Sequence, residues 1–132
     1  MPYKHVIVTE FGGPENLQVV EEAQLPEPSA GQVRVKVLAA GTGFTDTIIR
    51  QGQYVDVKDK PPFTLGYDWF GVVDKLGASV TGLHKGQYVA DMPVIGSISL
   101  TISETARALQ RRRFKQFAGA CAGLVGVFVI LL

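Results

Sequence analysis

Cysteine is nearly absent from this chain of 132 residues; Cys121 stands alone. One thiol cannot close an internal disulfide, so the core must hold the fold, and a reducing compartment is expected. Histidine is almost as scarce: His5 and His84 are the whole supply, and both are read as surface or packing residues. A net charge of +1 sets up no overall field that would favour nucleic acid. At the start of the chain, Met1 to Val8 contains an apolar run too short for a secretory core and lacks a small-residue cleavage site. Nothing there addresses the chain for export, and the cytoplasm is the expected location. No internal repeat occurs.

Glycine, by contrast, is plentiful, and it punctuates short apolar runs. This is the pattern of brief strands that turn sharply and repack. Val33-Arg34-Val35-Lys36-Val37 alternates strictly, as a half-buried strand does. Val6-Ile7-Val8, Leu17-Gln18-Val19-Val20, Gly71-Val72-Val73-Asp74 and Tyr88-Val89-Ala90 are shorter candidates. Turn formers separate them at Gly12-Gly13-Pro14, Pro26 to Gly31 and Pro61-Pro62. Many short strands with such punctuation favour an antiparallel barrel or sandwich. One helical turn interrupts them, with Thr45 as its cap, Ile48 and Ile49 packing inward and Gly52 ending it.

Charge divides the chain. Residues 1–99 carry eight Lys/Arg and eleven Asp/Glu, whereas residues 100–132 carry five Lys/Arg and only Glu104. Ser97-Ile98-Ser99-Leu100-Thr101-Ile102 keeps a strand-like alternation, but Thr101 and Glu104 have the spacing of a capping box, which predicts a helical tail. The basic cluster Arg111-Arg112-Arg113-Phe114-Lys115 follows, then an uncharged run from Phe117 to Leu132. The composition boundary falls near residues 96–100, giving a unit over 1–96 and a basic, apolar helical tail over 97–132.

Several segments, taken in order, carry a family likeness. They are Phe11 to Leu17, Pro26 to Val33, Ala39-Ala40-Gly41-Thr42-Gly43-Phe44-Thr45-Asp46 and Arg50-Gln51-Gly52-Gln53-Tyr54. Gly66-Tyr67-Asp68-Trp69-Phe70-Gly71-Val72-Val73 and Gly77 to Val89 complete the set. Residues 1–96 thereby resemble the N-terminal, GroES-like (alcohol dehydrogenase-like) domain of medium-chain dehydrogenases/reductases, in the zinc-free quinone oxidoreductase branch. The resemblance implies a mainly β fold: a GroES-like, partly closed β-barrel with one short helix, here followed by the helical tail.

In zinc-dependent members of that family, a cysteine follows the glycine of the active-site turn and a Gly-His-Glu triplet supplies further ligands. Gly43 and Gly66-Tyr67-Asp68 stand at those positions here, and the four-cysteine structural lobe is missing. No zinc is expected. In zinc-free members, hydride passes from a nicotinamide to a quinone or enone whose oxygen is polarised by hydrogen bonds. Carried over residue by residue, Asp46, Arg50, Tyr54, Tyr67 and Asp68 line or support the substrate pocket, with Tyr54 the expected direct contact. Three of them also have a plain structural reading: Asp46 as a first-turn carboxylate, Arg50 as a last-turn cation, Tyr54 as a core-edge ring. Zinc-free relatives often place asparagine where Gly43 stands, so an amide that could orient substrate is missing.

NADPH is the cofactor the family implies, held mainly on a Rossmann domain after the barrel. The resemblance implies a chain ending before that domain, hence little hydride transfer by this polypeptide alone. Gly119 to Gly126 has a glycine spacing like the dinucleotide turn but lacks the strand-turn-helix context. Two readings of the tail remain open. One is a membrane anchor of sixteen uncharged residues, Phe117 to Leu132, with Gly119 and Gly123 as a small-residue pair and the arginines held at the cytosolic side. The other is a by-product of truncation whose apolar end lies against the barrel. A non-catalytic membrane-attached or protein-interaction module is the corresponding alternative function. Nucleic-acid binding by Arg111 to Arg113 is not expected, because the patch is small.

Overall fold

A computed structural model describes residues 1–106, 109 and 128–131. Strand β1 (Tyr3–Val8) lies antiparallel to β2 (Leu17–Glu22) and, on its other side, to the two-residue β4 (Phe63–Thr64), forming the first sheet. A 3-10 turn at Pro14–Asn16 reverses the chain between β1 and β2. Pro14 suits the start of that turn because its fixed φ is already helical.

The second sheet is built around β3 (Gln32–Thr42), with β5 (Trp69–Leu76) and then β6 (Tyr88–Asp91) on one side. Along β3, Val33, Val35 and Val37 are buried while Lys36 is exposed, so the alternation in the sequence becomes the two faces of the strand. β5 repeats the pattern with Trp69, Gly71 and Val73 inward. Val35 faces Val73 and Val37 faces Gly71 across the pair. A Cβ at Gly71 would stand 2.5 Å from the Lys36 carbonyl oxygen, so the close approach of β3 requires glycine there. On the outer face, the Arg34 guanidinium clamps Asp74 Oδ2 at 2.6 and 2.7 Å, tying β3 to β5 a second time.

The other side of β3 carries two strands. β7 (Thr101–Thr105) pairs with Gln32–Lys36, and β8 (Phe128–Leu131) pairs with Ala39–Thr42. This corrects the helical tail on two counts. Thr101 and Glu104 are not a capping box but lie in an extended strand, because the vacant edge of β3 offers each backbone group a partner. Phe128–Leu131 are likewise extended, not the end of a helix reaching Leu132. Phe117, Gly119, Gly123 and Leu132 lie outside the described residues. No helix among the described residues is long and apolar enough to cross a membrane.

The described strands form two sheets and no closed barrel. Residues 97–100 join them. Val6 N–H donates to the Ile98 carbonyl at 2.9 Å, Leu100 N–H donates to the Lys4 carbonyl at 2.9 Å, and Val37 N–H donates to the Leu100 carbonyl at 3.0 Å. The core gathers Val8, Val33, Val35, Val37, Ile49, Trp69 and Val73, and continues through Ile98, Ile102, Ala106 and Leu109.

Helix α1 (Phe44–Arg50) is the only α-helix with bounds among the described residues. Its cap is Gly43 rather than the expected Thr45, which lies inside the first turn. Asp46 accounts for the difference: its carboxylate reaches back to the Gly43 N–H and satisfies a donor the helix leaves orphaned. At the other end, Gly52 takes φ +73°, the left-handed conformation that glycine adopts without strain.

Candidate active site

Three segments meet at one end of the second sheet: the last residues of β3, the first turn of α1 and the turn Gly66-Tyr67-Asp68 before β5. The Gly41 N–H donates to Asp68 Oδ1 at 3.0 Å and to the Asp68 carbonyl at 3.2 Å. A Cβ at Gly41 would fall 2.1 Å from Asp68 Oδ1, so any side chain there would displace this carboxylate. Gly43 N–H donates to Asp46 Oδ2 at 2.8 Å. The other oxygen of Asp46, Oδ1, is buried without a hydrogen-bond partner.

Burial raises the pKa of both carboxyls. For Asp46, desolvation is the largest cause, the nearby Asp68 charge adds to it, and the Gly43 N–H opposes it. For Asp68, desolvation again leads and the Gly41 N–H opposes it. Both therefore keep their protons to higher pH than an exposed aspartate does.

These groups surround a cleft of about 210 Å³ floored by Gly41, Thr42 and Gly43 and walled by Asp46, Tyr67 and Asp68, with Thr45 and Met92 at its rim. Behind Tyr67 stands Tyr54, edge-on, with ring centroids 6.2 Å apart and planes at 82°. Their hydroxyls are 3.4 Å apart, a long and weak contact for two oxygens. The Tyr54 phenol pKa is raised, chiefly by that hydrogen bond with Tyr67.

Of the five residues singled out in the sequence, Asp46, Tyr67 and Asp68 line the cleft, and Tyr54 reaches it through Tyr67. Arg50 lies elsewhere. Its guanidinium donates to the Gly12 carbonyl, and the Gly12 N–H returns a bond to the Arg50 carbonyl at 3.1 Å. It faces a second, larger groove of about 560 Å³, which shares Thr42, Gly43 and Asp46 with the cleft. Val6, Leu17, Leu65 and Ile98 wall this groove, with Phe44 at its edge. No sequence signal marked it, because its apolar residues come from four separate segments. Thr45 and Met92 were also missed; Thr45 lies within the glycine-containing segment Ala39 to Asp46.

Among the described residues, no three His, Cys, Asp or Glu side chains gather as a metal site. The cleft does not fit a whole dinucleotide: it is smaller than the roughly 300–1,000 Å³ of drug-sized ligand pockets and suits a single ring. The groove is larger, but its apolar walls offer little to a pyrophosphate, which needs converging N–H donors.

Comparison with known proteins agrees with this architecture. The alcohol dehydrogenase GroES-like domain matches residues 29–130. The chain belongs to that family. Quinone oxidoreductase of Lama guanicoe is 40% identical over 82 residues, which is 62% of this chain and 24% of that protein. Human synaptic vesicle membrane protein VAT-1 homolog-like protein superposes with a TM-score of 0.74 at 29% identity, over 83% of this chain and 35% of that one. Escherichia coli quinone oxidoreductase, solved as a complex with NADPH, gives 0.67 at 27% identity, over 86% of this chain and 35% of that one. The chain spans about a quarter of the length of curated relatives such as the first of these.

Proposed function

We propose that this chain is the acceptor-side part of a zinc-independent, NADPH-linked quinone or enone reductase, its two sheets corresponding to a partly closed GroES-like barrel. The observation that carries the reading is the ring-sized cleft in which Tyr67, Asp46 and Asp68 converge. A quinone or enone oxygen needs hydrogen-bond donors that strengthen as charge develops on it. The phenol of Tyr67, backed by Tyr54, is one such donor. Asp46 and Asp68 stand beside it, and burial pushes both toward the neutral form, in which a carboxyl can donate. NADPH supplies hydride when bound; the relative of known structure that holds it supports this choice.

Bound to a flat acceptor, Tyr67 and the aspartates orient the ring and keep water from its oxygen. In this reading the described residues bind the acceptor and do not cradle a dinucleotide, so NADPH turnover is not assigned to them. Titration with tetramethylbenzoquinone tests this, since that ring has no free position for thiol addition at Cys121. Amide NMR shifts are expected at Gly41, Tyr67 and Asp68, and Tyr67→Phe should weaken binding about fivefold, the worth of roughly one hydrogen bond. Unshifted cleft amides would remove the acceptor site. Steady oxidation of NADPH by the isolated chain would remove this division of roles.

A further inference from the structure

The groove beside the cleft has no part in polarising an oxygen, yet the two spaces adjoin. Thr42, Gly43 and Asp46 line both. Gly43 lies on that shared boundary, and a Cβ there would meet nothing within 4 Å, so the space at this residue is open. On the groove side, Val6, Leu17, Leu65 and Ile98 present an apolar wall, while Phe44 stands at the lip with 80% of its surface exposed. A ring of that size left in water at a groove mouth gains by lying against an apolar ligand. The cleft's volume of about 210 Å³ suits the ring of an acceptor, whereas the groove's 560 Å³ exceeds what a ring would use.

We propose that the groove holds the tail of the acceptor, so that the preferred ligand is a quinone or enone bearing an alkyl or prenyl chain, and that Gly43 admits it by leaving ring and chain one continuous space. The proposal rests on the reading of the cleft as the acceptor site. It accounts for glycine at a position where the backbone does not demand it: Gly43 is extended, with φ −151° and ψ −174°, a conformation open to any residue. What glycine supplies there is room.

The test compares tetramethylbenzoquinone with its trimethyl-decyl counterpart, each titrated into the full chain below the micellar concentration and followed by calorimetry and amide NMR. The tail should tighten binding at least tenfold, since burying about ten methylenes has ample driving force even after chain ordering is deducted. Amides of Val6, Leu17 and Ile98 should shift with the tailed ligand only. Gly43→Leu should collapse the affinity ratio between the two ligands toward one. Phe44→Ser, at an exposed position outside the cleft, should lower that ratio about threefold. Circular dichroism would confirm that both variants fold. Equal affinity for the two ligands, or a tail that leaves the groove amides unmoved, overturns the tail pocket while leaving the cleft as the acceptor site. If neither ligand shifts Gly41, Tyr67 or Asp68, the acceptor reading falls and the tail pocket with it.

Discussion

Two demands act on the carboxyl of Asp46. The helix start and the Gly43 N–H favour the charged form, while burial to 6% exposure and the neighbouring Asp68 favour the neutral one; burial is the largest of these influences. A carboxyl whose folded pKa is raised still holds its proton after the unfolded chain has released it. Its contribution to stability is therefore fully present below the ordinary aspartate value of about 3.9 and is lost as pH rises through the folded value. Asp46→Asn keeps an oxygen for the Gly43 N–H but cannot ionise. The melting temperature of the variant relative to the parent should be higher at pH 8 than at pH 4. A difference independent of pH between these two points would show that Asp46 does not titrate abnormally. Arg50 poses a simpler question. It is 9% exposed and bonded to the Gly12 carbonyl, so Arg50→Met keeps the stem while leaving that carbonyl without its donor. The cost should be about 1–3 kcal/mol by urea denaturation, with faster amide exchange at Gly12. A neutral substitution would mean that water replaces the guanidinium without penalty.

Among the elements, β3 is the strand on which the others depend, and it was only half legible. Val33 to Val37 shows its alternation openly. Ala39 to Thr42, read as turn, carries small residues and glycine with no period to betray a strand; its extended form comes from β5 on one edge and β8 on the other. β4 was missed for a related reason, since two residues cannot display a repeat. In residues 97–105 two signals competed. The spacing of Thr101 and Glu104 suggested a cap, whereas Ile98, Leu100 and Ile102 alternated, and the open edge of β3 decided for the strand. The sequence pointed to the lining of the candidate cleft wherever glycine-rich turns marked it, at Asp46, Tyr67 and Asp68. It did not reveal the direction of Arg50, which is set by the Gly12 carbonyl 38 residues away in sequence. The pairing of β8 makes a prediction at this scale. A chain ended after residue 127 leaves the Ala39–Thr42 edge of β3 unpaired, next to the cleft. An uncovered edge recruits other strands, so self-association should rise in sedimentation velocity and exchange should quicken in Ala39–Thr42. A truncated chain that stayed monomeric with unchanged exchange would show that β8 contributes nothing to that edge.

For the whole molecule, the question is how two small sheets become one cooperative unit. β1, β2 and β4 make a sheet of three strands, and so short an assembly is marginal without a partner surface. Residues 97–100 provide the connection: backbone bonds run from Lys4 and Val6 through Ile98 and Leu100 to Val37, so one segment is bonded to both sheets. Ile98 and Ile102, at 7% and 9% exposure, are buried in the same core, together with Ala106 and Leu109. The composition boundary near residue 96 therefore does not coincide with a gap in the core. Losing a buried isoleucine costs about 2–5 kcal/mol when the site cannot collapse, and a small domain has only about 5–15 kcal/mol in total. A fragment of residues 1–96 forfeits both isoleucines, the β7 pairing and the backbone link at once. It should show no cooperative thermal transition and poor amide dispersion, whereas the full chain melts as one unit. Cooperative unfolding of the 1–96 fragment would mean that each sheet is stable without the segment that now binds them.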